Sequence, residues 1–230
     1  MRAAAEPRAA GTRGDRRKAR TAAAILAAAE RLFLGRGCCA TTMEDLSAEA
    51  DVAIGSIYAH FGSKEGVYSA LVERALELDE RYVQEGDEAL GTAPLARLIG
   101  RAEGYLRFAR EHPSYFRLFR FPPADRPSEE KAPVTSRVTE RIRLETERMA
   151  ELIEAAIDEG ALRPVDSKAA ARYLWAAWDG LIASHLGPAN LDLSDGEFEQ
   201  LLEFAREALI RSVLGAAGVR LLLEETSQTQ

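Results

Sequence analysis

Residues 41–72 read TTMEDLSAEADVAIGSIYAHFGSKEGVYSALV and contain short helical patterns separated by breaks. The first pattern begins at Thr41 or Thr42, either of which can cap a helix, and Glu44 stands three residues after Thr41 as in a capping box. A break near Asp51 ends this pattern. The spacing therefore predicts a short helix followed by a tight turn.

A second short helix is predicted over about residues 53–60, directly after this turn. Gly62 and Ser63 then form another break, and Ser63 can cap a long helix over about residues 64–83. Two short helices joined by a tight turn, behind a supporting helix, match a helix-turn-helix. In that arrangement the second helix of the pair enters the DNA major groove, which admits a cylinder of helix diameter.

The supporting helix precedes this stretch and ends near Arg36, between the stop signals Gly35 and Gly37. Residues 1–19 are rich in Arg, Ala and Gly and lack a hydrophobic period, which predicts a flexible basic arm. The apolar run that follows is interrupted by Glu30 and is too short to span a bilayer. We therefore expect no membrane segment and a cytoplasmic protein.

Helical patterns continue through the rest of the chain, and strand-favouring segments are scarce. The patterns cover residues 95–111, 112–121, 134–159, 167–186 and 196–214, with a proline-rich loop at 122–130 and a tail at 219–230. The sequence therefore predicts an all-α fold.

Charge is distributed unevenly along the 230 residues, whose formal net charge is −7. Residues 1–64 hold ten basic and seven acidic side chains, a net of +3, which leaves −10 for the remainder. One end of the chain can therefore meet a polyanion while the other repels it. The two cysteines, Cys38 and Cys39, are adjacent, which disfavours a disulfide and predicts packed, reduced thiols; a redox switch is the alternative.

The run 41–72, together with AAERLFLGRG at the end of the preceding helix, resembles the TetR-type repressor family. The resemblance covers about residues 20–72, and the positions in register are Thr41–Thr42, Tyr58, Phe61 and Ser63–Lys64. It implies a helix-turn-helix DNA-binding domain over residues 20–66, to which the helix over 64–83 links a ligand-binding and dimerisation domain over 67–218.

The resemblance also implies which side chains contact DNA. Tyr58 looks like a phosphate or base contact from the second helix of the pair, and the alternative is a half-buried Tyr that holds the helices together. Lys64 starts the next helix, where a positive charge is unfavourable unless it meets a phosphate. The predicted DNA-binding set is Arg16, Arg17, Lys18, Thr41, Thr42, Ile54, Gly55, Ser56, Tyr58, His60 and Lys64.

The chain departs from the family pattern around the turn. Asp51 stands where Gly is usual, and Asp tolerates the left-handed conformation better than most residues. Ala53 replaces a common Ser or Thr cap. Ile54 stands where a polar side chain is frequent, so we expect Ile54 and Gly55 to make apolar contact, for example with a thymine methyl group.

Beyond residue 75, large aromatic residues recur in helical segments, which is typical of an apolar ligand pocket with few polar groups. Trp175 and Trp178, one turn apart, are the best pair for lining a cavity, and an aromatic core is the alternative. The predicted ligand-binding set is Tyr105, Phe108, His112, Phe116, Phe119, Trp175, Trp178 and Asp179. The effector is expected to be largely apolar or aromatic.

Helices 167–186 and 196–214 are the predicted homodimer surface. Small residues such as Ala176 and Gly180 permit close helix approach, and two such helices per subunit can pack as a four-helix bundle. A two-fold dimer would present paired second helices to a pseudo-palindromic operator in double-stranded DNA.

Motifs for catalysis and cofactors are not apparent. No Glu stands three residues before His60, His112 or His185, as a di-metal helical bundle would require, and no phosphate loop or Ser-centred elbow is present. We predict a ligand-responsive transcriptional regulator that is not an enzyme and needs no cofactor, most simply a repressor released from its operator by a small molecule. Activation instead of repression stays open. The alternative is a TetR-like ligand-binding or interaction module without specific operator binding.

Overall fold

The computed structural model describes residues 13–121, 128–187 and 193–213. Within these ranges the regular elements are helices, so the predicted all-α fold is confirmed. They are α1 (Arg13–Arg36), α2 (Met43–Ala50), α3 (Ile54–Phe61), α4 (Lys64–Ala89), α5 (Pro94–Glu111), α6 (Pro113–Arg120), α7 (Ser128–Asp158), α8 (Ser167–Leu186) and α9 (Asp195–Val213).

The chain forms two compact units that divide within α4. The first unit holds α1 to α3 and α4 up to Val72, and the second holds α4 from Glu73 onwards, α5, α6 and the chain from Lys131 onwards. The division falls a few residues after the domain boundary predicted at 66/67. A single helix, α4, therefore supplies residues to both units.

The core of the first unit is built from apolar side chains of α1, α2 and α3. Ile25 and Phe33 of α1, Leu46 of α2 and Ile57 of α3 are each at most 5% exposed. The Phe33 ring lies 6.1 Å from the ring of Tyr68, near the start of α4. Burial of side chains of this size contributes roughly 1.5–3 kcal/mol each. This core fixes the position of α3 within the unit.

The first helix begins at Arg13, so the predicted flexible arm is wrong for residues 13–19. Ala, Arg and Lys are strong helix formers, and Asp15 lies in the first turn, where a negative charge favours the helix. These local preferences suffice without a hydrophobic period. Residues 1–12 of the predicted arm lie outside the described residues.

Helix α4 continues beyond its predicted end at Val83 to Ala89. Gly86 lies inside this extension and permits close approach to α5. A Cβ atom on Gly86 would lie 2.1 Å from the carbonyl oxygen of Gly100. Packing between the two helix backbones therefore explains why a glycine stands within the helix.

Helix α7 begins at Ser128, so the predicted loop is wrong for residues 128–130. Acidic residues follow Ser128 directly, and negative charge in a first turn stabilises a helix. The other loop residues, 122–127, and the predicted tail, 219–230, lie outside the described residues.

In the second unit, α5, α7 and α8 share a hydrophobic cluster. Leu98 of α5, Ile153 and Ala156 of α7, and Ala171 of α8 are all buried within it. No helix in the described ranges combines the length and the apolar character that a membrane span requires.

Candidate functional site

The turn between α2 and α3 is held by Asp51 in the left-handed conformation. Its φ of 52° and ψ of 49° end α2, and it is the one positive-φ residue other than Gly in the described part of the chain. The Ser47 hydroxyl donates to the Val52 carbonyl at 2.6 Å and braces the turn. The expectation that Asp51 would adopt this conformation is confirmed.

The cap of α2 is Thr42, and the capping box pairs it with Asp45. The Thr42 hydroxyl accepts from the Asp45 N–H at 3.0 Å, while the Asp45 carboxylate accepts from the Thr42 N–H at 2.9 Å. The predicted box between Thr41 and Glu44 is therefore wrong. The Thr42 backbone N–H and then the Arg36 guanidinium lower the pKa of Asp45 to about 2.

Thr41 is fully buried, so it does not belong to the predicted DNA-binding surface. Its hydroxyl donates to the Gly37 carbonyl at 2.9 Å and accepts from the Arg36 guanidinium at 3.4 Å. Two adjacent threonines compete for the capping position, and the turn after α1 places the second one there. Thr42 remains exposed.

Helix α3 buries one side and leaves the other open. Ile57 is fully buried and Phe61 is partly buried, so these two side chains lie on the core side of the helix. Tyr58 is 51% exposed, and apart from the backbone of α3 itself and the neighbours of Gly55, no atom lies within 4 Å of the place where a Cβ of Gly55 would stand. The remaining predicted residues of this helix, Ile54, Ser56 and His60, are partly exposed.

The start of α3 has no side-chain cap, since its N-cap residue is Ala53. The next helix, α4, begins close to the end of α3, because a Cβ on Gly66 would overlap the Phe61 carbonyl oxygen at 1.9 Å. Lys64, in the first turn of α4, donates from Nζ to the Thr41 carbonyl at 3.1 Å. Lys64 is therefore fixed beside the exposed Thr42.

Arg16, Arg17 and Lys18 are exposed and lie in α1. They are thus carried by a helix and not by the flexible arm that the sequence predicted. Together with Thr42, Lys64 and the open side of α3, they make up what we call the basic surface of the first unit.

The second unit contains a partly open cavity of about 190 Å³ among α4 to α9. Five residues of the predicted ligand set line it: Tyr105, Phe119, Trp175, Trp178 and Asp179. Most other lining side chains are apolar, among them Leu76, Val83, Leu95, Leu98, Ile99, Val138, Ile142, Met149 and Leu174.

Phe108, Phe116 and His112, the other three residues of the predicted ligand set, do not line this cavity. Phe108 is fully buried and stacks on Phe119 with ring centroids 6.0 Å apart, and Phe116 is also fully buried. The His112 ring Nε2 lies 3.0 Å from the Tyr82 hydroxyl oxygen. These side chains form an aromatic core beside the cavity, which is the alternative that the sequence left open.

Tyr105 and Asp179 form a polar contact at the cavity wall. The Tyr105 hydroxyl donates to one Asp179 oxygen at 2.8 Å, and the Arg120 guanidinium donates to the other at 2.8 Å. Burial, and next the Asp179 charge, raise the pKa of Tyr105 well above its usual value. Tyr105 is therefore a neutral donor whose partner has both oxygens occupied.

A chain of ion pairs borders the same cavity, and the sequence prediction did not include it. The Arg101 guanidinium donates to both oxygens of Glu145 at 2.9 and 2.5 Å, and also to Asp87 at 2.8 Å. Asp87 accepts two further bonds from Arg97. Burial alone would raise the pKa of Asp87, but these hydrogen bonds hold it below its usual value.

Asp79 and Arg141 continue this chain at the cavity wall. Arg141 Nη2 lies 3.1 Å from Asp79 Oδ2, and Arg141 Nη1 lies 3.0 Å from Glu145 Oε2. Asp79 is only 4% exposed, and burial raises the pKa of its carboxyl to about 7 against the lowering effect of the Arg141 charge. The sequence could have indicated this buried charge, because Asp79 stands on the apolar stripe of α4 between Leu76 and Val83.

Within the described ranges, His, Cys, Asp and Glu side chains form no group of three or more that could hold a metal ion. Cys38 is buried and Cys39 is exposed. The first unit offers a basic surface, and the second offers an apolar cavity with buried charges.

Two family descriptions match the chain. Residues 25–71 match "Bacterial regulatory proteins, tetR family", and residues 98–209 match "Tetracyclin repressor-like, C-terminal domain". The chain belongs to the TetR family of bacterial regulatory proteins.

The HTH-type transcriptional repressor KstR2 of Mycolicibacterium smegmatis is 39% identical over 77 residues, which are 33% of this chain and 37% of that repressor. The chain thus spans about a third of the length of the curated relatives it matches.

Two solved structures share the fold. NalD of Pseudomonas aeruginosa, the secondary repressor of the MexAB-OprM multidrug efflux pump, has a TM-score of 0.64 at 23% identity, covering 85% of this chain and 97% of its own. AibR, in complex with isovaleryl coenzyme A and operator DNA, has a TM-score of 0.58 at 21% identity, covering 79% and 95%.

Proposed function

We propose that this protein is a homodimeric repressor that binds a pseudo-palindromic operator through α3 and leaves it when a small molecule occupies the cavity of the second unit. The observation that carries the proposal is the presence, in one chain, of a helix-turn-helix with an open α3 side and of a largely apolar cavity. The same two kinds of ligand, an acyl coenzyme A and operator DNA, are bound in the AibR structure.

The basic surface supplies the DNA contacts. An α-helix fits the major groove, and the half-exposed Tyr58 would donate its phenol proton to a phosphate or contact a base edge. Lys64 uses one Nζ proton on the Thr41 carbonyl, which holds its charge beside Thr42 and leaves two protons for a phosphate. Arg16, Arg17 and Lys18 add positive charge from the first turns of α1.

The cavity of the second unit is where a small molecule would bind to cause release of DNA. Its walls are mostly apolar, which favours an effector that is largely apolar or aromatic. A ligand releases DNA only if it binds more tightly to a state in which the two copies of α3 no longer match successive major grooves. The helix α4 contributes Leu76, Asp79 and Val83 to the cavity and Lys64 to the basic surface, so it belongs to both sites.

The dimer surface is assigned to α8 and α9. Tyr173 of α8 is 64% exposed and Phe204 of α9 is 68% exposed, which is unusual for side chains of this size unless a partner covers them. Ala176 and Gly180, also on α8, are exposed and small enough for close helix approach. A two-fold axis through this surface would pair the two copies of α3.

The test is selection of operator DNA from a genomic fragment pool by the purified full-length protein, followed by titration of the enriched duplex at several salt concentrations. A repressor of this kind enriches few fragments, binds them at least about a thousandfold more tightly than random duplex, and loses affinity steeply with salt. Failure to enrich any fragment, with folded dimeric protein, would favour the ligand-binding module without operator binding.

A further inference from the structure

Two arginines of the second unit contact a carboxylate through Nη2, but only one of them also donates from Nε. Arg101 donates from Nε and Nη2 to the two oxygens of Glu145, at 2.9 and 2.5 Å, so this pair is closed. Arg141 reaches only one oxygen of Asp79, with Nη2 3.1 Å from Oδ2. We call the Asp79–Arg141 contact the open pair.

The unused atoms of the open pair are buried. Asp79 Oδ1 and Arg141 Nε have no hydrogen-bond partner among the described residues. Asp79 is only 4% exposed, and both residues line the cavity. Leaving a buried donor or acceptor unpaired costs roughly 1–3 kcal/mol per group, so a ligand that pairs both recovers this cost.

The oxygens of the other carboxylates at the cavity wall are already engaged, including those of Glu145. Both Asp179 oxygens accept bonds, from Tyr105 and Arg120. Both Glu103 oxygens accept bonds from Arg206. Among the lining carboxylates of the described residues, Asp79 alone keeps a buried oxygen without a partner, and we take the open pair as the polar anchor for a cavity ligand.

The open pair leaves one acceptor, Asp79 Oδ1, and one donor, Arg141 Nε–H, which lies on the same edge of the guanidinium group as the Nη2 that contacts Asp79. A hydroxyl group satisfies both at once, donating its proton to Asp79 Oδ1 and accepting from Arg141 Nε–H. A ketone can only accept, and a carboxylate would need a proton on Asp79 to avoid repulsion. An alkane pairs with neither atom.

We infer that the effector is an alcohol with an apolar body, whose hydroxyl group binds between Asp79 and Arg141. This inference rests on the proposed function, in which the cavity is the effector site. The cavity of about 190 Å³ is somewhat larger than the roughly 150 Å³ apolar cavity that accepts benzene, so it suits a compact or medium-chain body.

The experiment measures binding to the full-length protein without DNA. Trp175 and Trp178 are the only two tryptophans of the chain and both line the cavity, so their fluorescence reports occupancy. The probes are 1-decanol, 2-decanone and decanoate at pH 8, where Asp79 is mostly ionised and its carboxylate can accept. We expect 1-decanol to bind roughly tenfold or more tightly than either of the others.

The variant Asp79→Asn converts the acceptor into a second donor once its amide oxygen turns to Arg141. It should reverse the preference, so that 2-decanone or decanoate binds more tightly than 1-decanol. Arg141→Lys keeps the charge but removes the Nε donor, and should reduce the affinity for 1-decanol several-fold. Glu73→Gln is the matched control, because Glu73 pairs with Arg137 across the same two helices without lining the cavity, and it should leave the preference unchanged.

Equal affinity for the three probes, within about twofold, would overturn the inference, as would tighter binding of decanoate by the unaltered protein or no binding of any probe. If Asp79→Asn fails to fold by circular dichroism, the unaltered protein and Arg141→Lys still decide. Binding of 1-decanol without release of operator DNA would preserve the hydroxyl site and contradict the ligand-responsive repressor. Release of DNA by one of the other probes alone would do the reverse.

Discussion

The two compact units differ in where the polar groups of their candidate sites lie. These groups are at the surface in the first unit and in the interior in the second. In the first unit the core lies beneath, and Tyr58, Thr42 and the basic residues of α1 face outwards. In the second unit Asp79, Glu145 and Arg101 are themselves buried, beside an apolar cavity. A surface that binds a large polyanion needs exposed charge. A site for a small apolar molecule can instead contain a few buried charges, and a buried polar atom without a hydrogen bond then favours a ligand that supplies one.

The largest loss of operator affinity is expected from changes to the exposed aromatic side chains of the second unit, Tyr173 and Phe204. Replacing both Tyr173 and Phe204 by Glu should give a monomer, because two charges would face their copies across the axis. Operator affinity should fall about a hundredfold or more, since the two α3 copies would no longer bind as one molecule. Light scattering gives the mass, and Leu144→Glu, at an exposed Leu of α7, is the control that should stay dimeric. A double variant that remains a dimer would contradict the assigned surface.

Tyr58→Ala tests whether the outward groups of the first unit work as proposed. Operator affinity should fall roughly tenfold to a hundredfold, because a phosphate or base contact worth about 1–3 kcal/mol is removed. Tyr58→Phe separates the hydroxyl from the ring. Helix content and dimer mass should not change, since the side chain is half exposed. Unchanged affinity in both variants would remove Tyr58 from the site.

Asp79→Asn tests the buried charge of the second unit through pH. The Asp79 carboxyl has a pKa of about 7 in the folded chain, against 3.8 as the ordinary value. The folded state therefore holds this proton more tightly than the unfolded state, so the free energy of unfolding falls as pH rises from about 4 through about 7. Between pH 5 and 8 this loss is on the order of 2 kcal/mol.

In Asp79→Asn this part of the pH dependence should disappear, as measured by urea unfolding at both pH values. Glu73→Gln serves as the control that should keep the dependence of the unaltered protein. An equally steep loss of stability in Asp79→Asn would assign the effect to another group.

Lys64→Ala tests whether the fixed charge of Lys64 on the basic surface contacts a phosphate. We expect operator affinity to fall roughly fivefold and the salt slope to become smaller by about one unit, as for the loss of one phosphate contact. Arg148→Ala, which removes an exposed charge of α7 that pairs with Glu151, should change neither quantity. A full salt slope in Lys64→Ala would show that this Nζ only supports the Thr41 carbonyl.

The smallest effect is expected at the turn. Asp51→Gly should raise the free energy of unfolding by up to about 1 kcal/mol, because Gly adopts the left-handed conformation without strain. Chemical denaturation measures the change. A lower stability would mean that the exposed Asp51 side chain contributes to the turn beyond its backbone conformation.

Sequence patterns were reliable where neighbours along the chain decide the structure. The break at Asp51, the uncapped start of α3 at Ala53 and the buried position of Ile57 follow from spacing of a few residues. Sequence patterns did not decide which of Thr41 and Thr42 caps α2, because either residue can cap a helix. The turn after α1 decides it by burying Thr41. Residues 13–19 were predicted to be flexible because they lack a hydrophobic period, although they are strong helix formers.

The cavity shows the opposite case. Phe108 and Phe119 have the same side chain on neighbouring helices, yet only Phe119 reaches the cavity. The open pair joins Asp79 of α4 to Arg141 of α7, and the closed pair joins Arg101 of α5 to Glu145. No local pattern relates residues so far apart.

By itself the sequence determined the helices, the turn and the outward side of α3, since hydrogen bonds and apolar stripes within a few residues set all three. Only the tertiary structure decided which aromatic rings line the cavity and which buried charges lack a partner. Those properties depend on distances between separate helices, where a shift of one ångström makes or breaks a hydrogen bond.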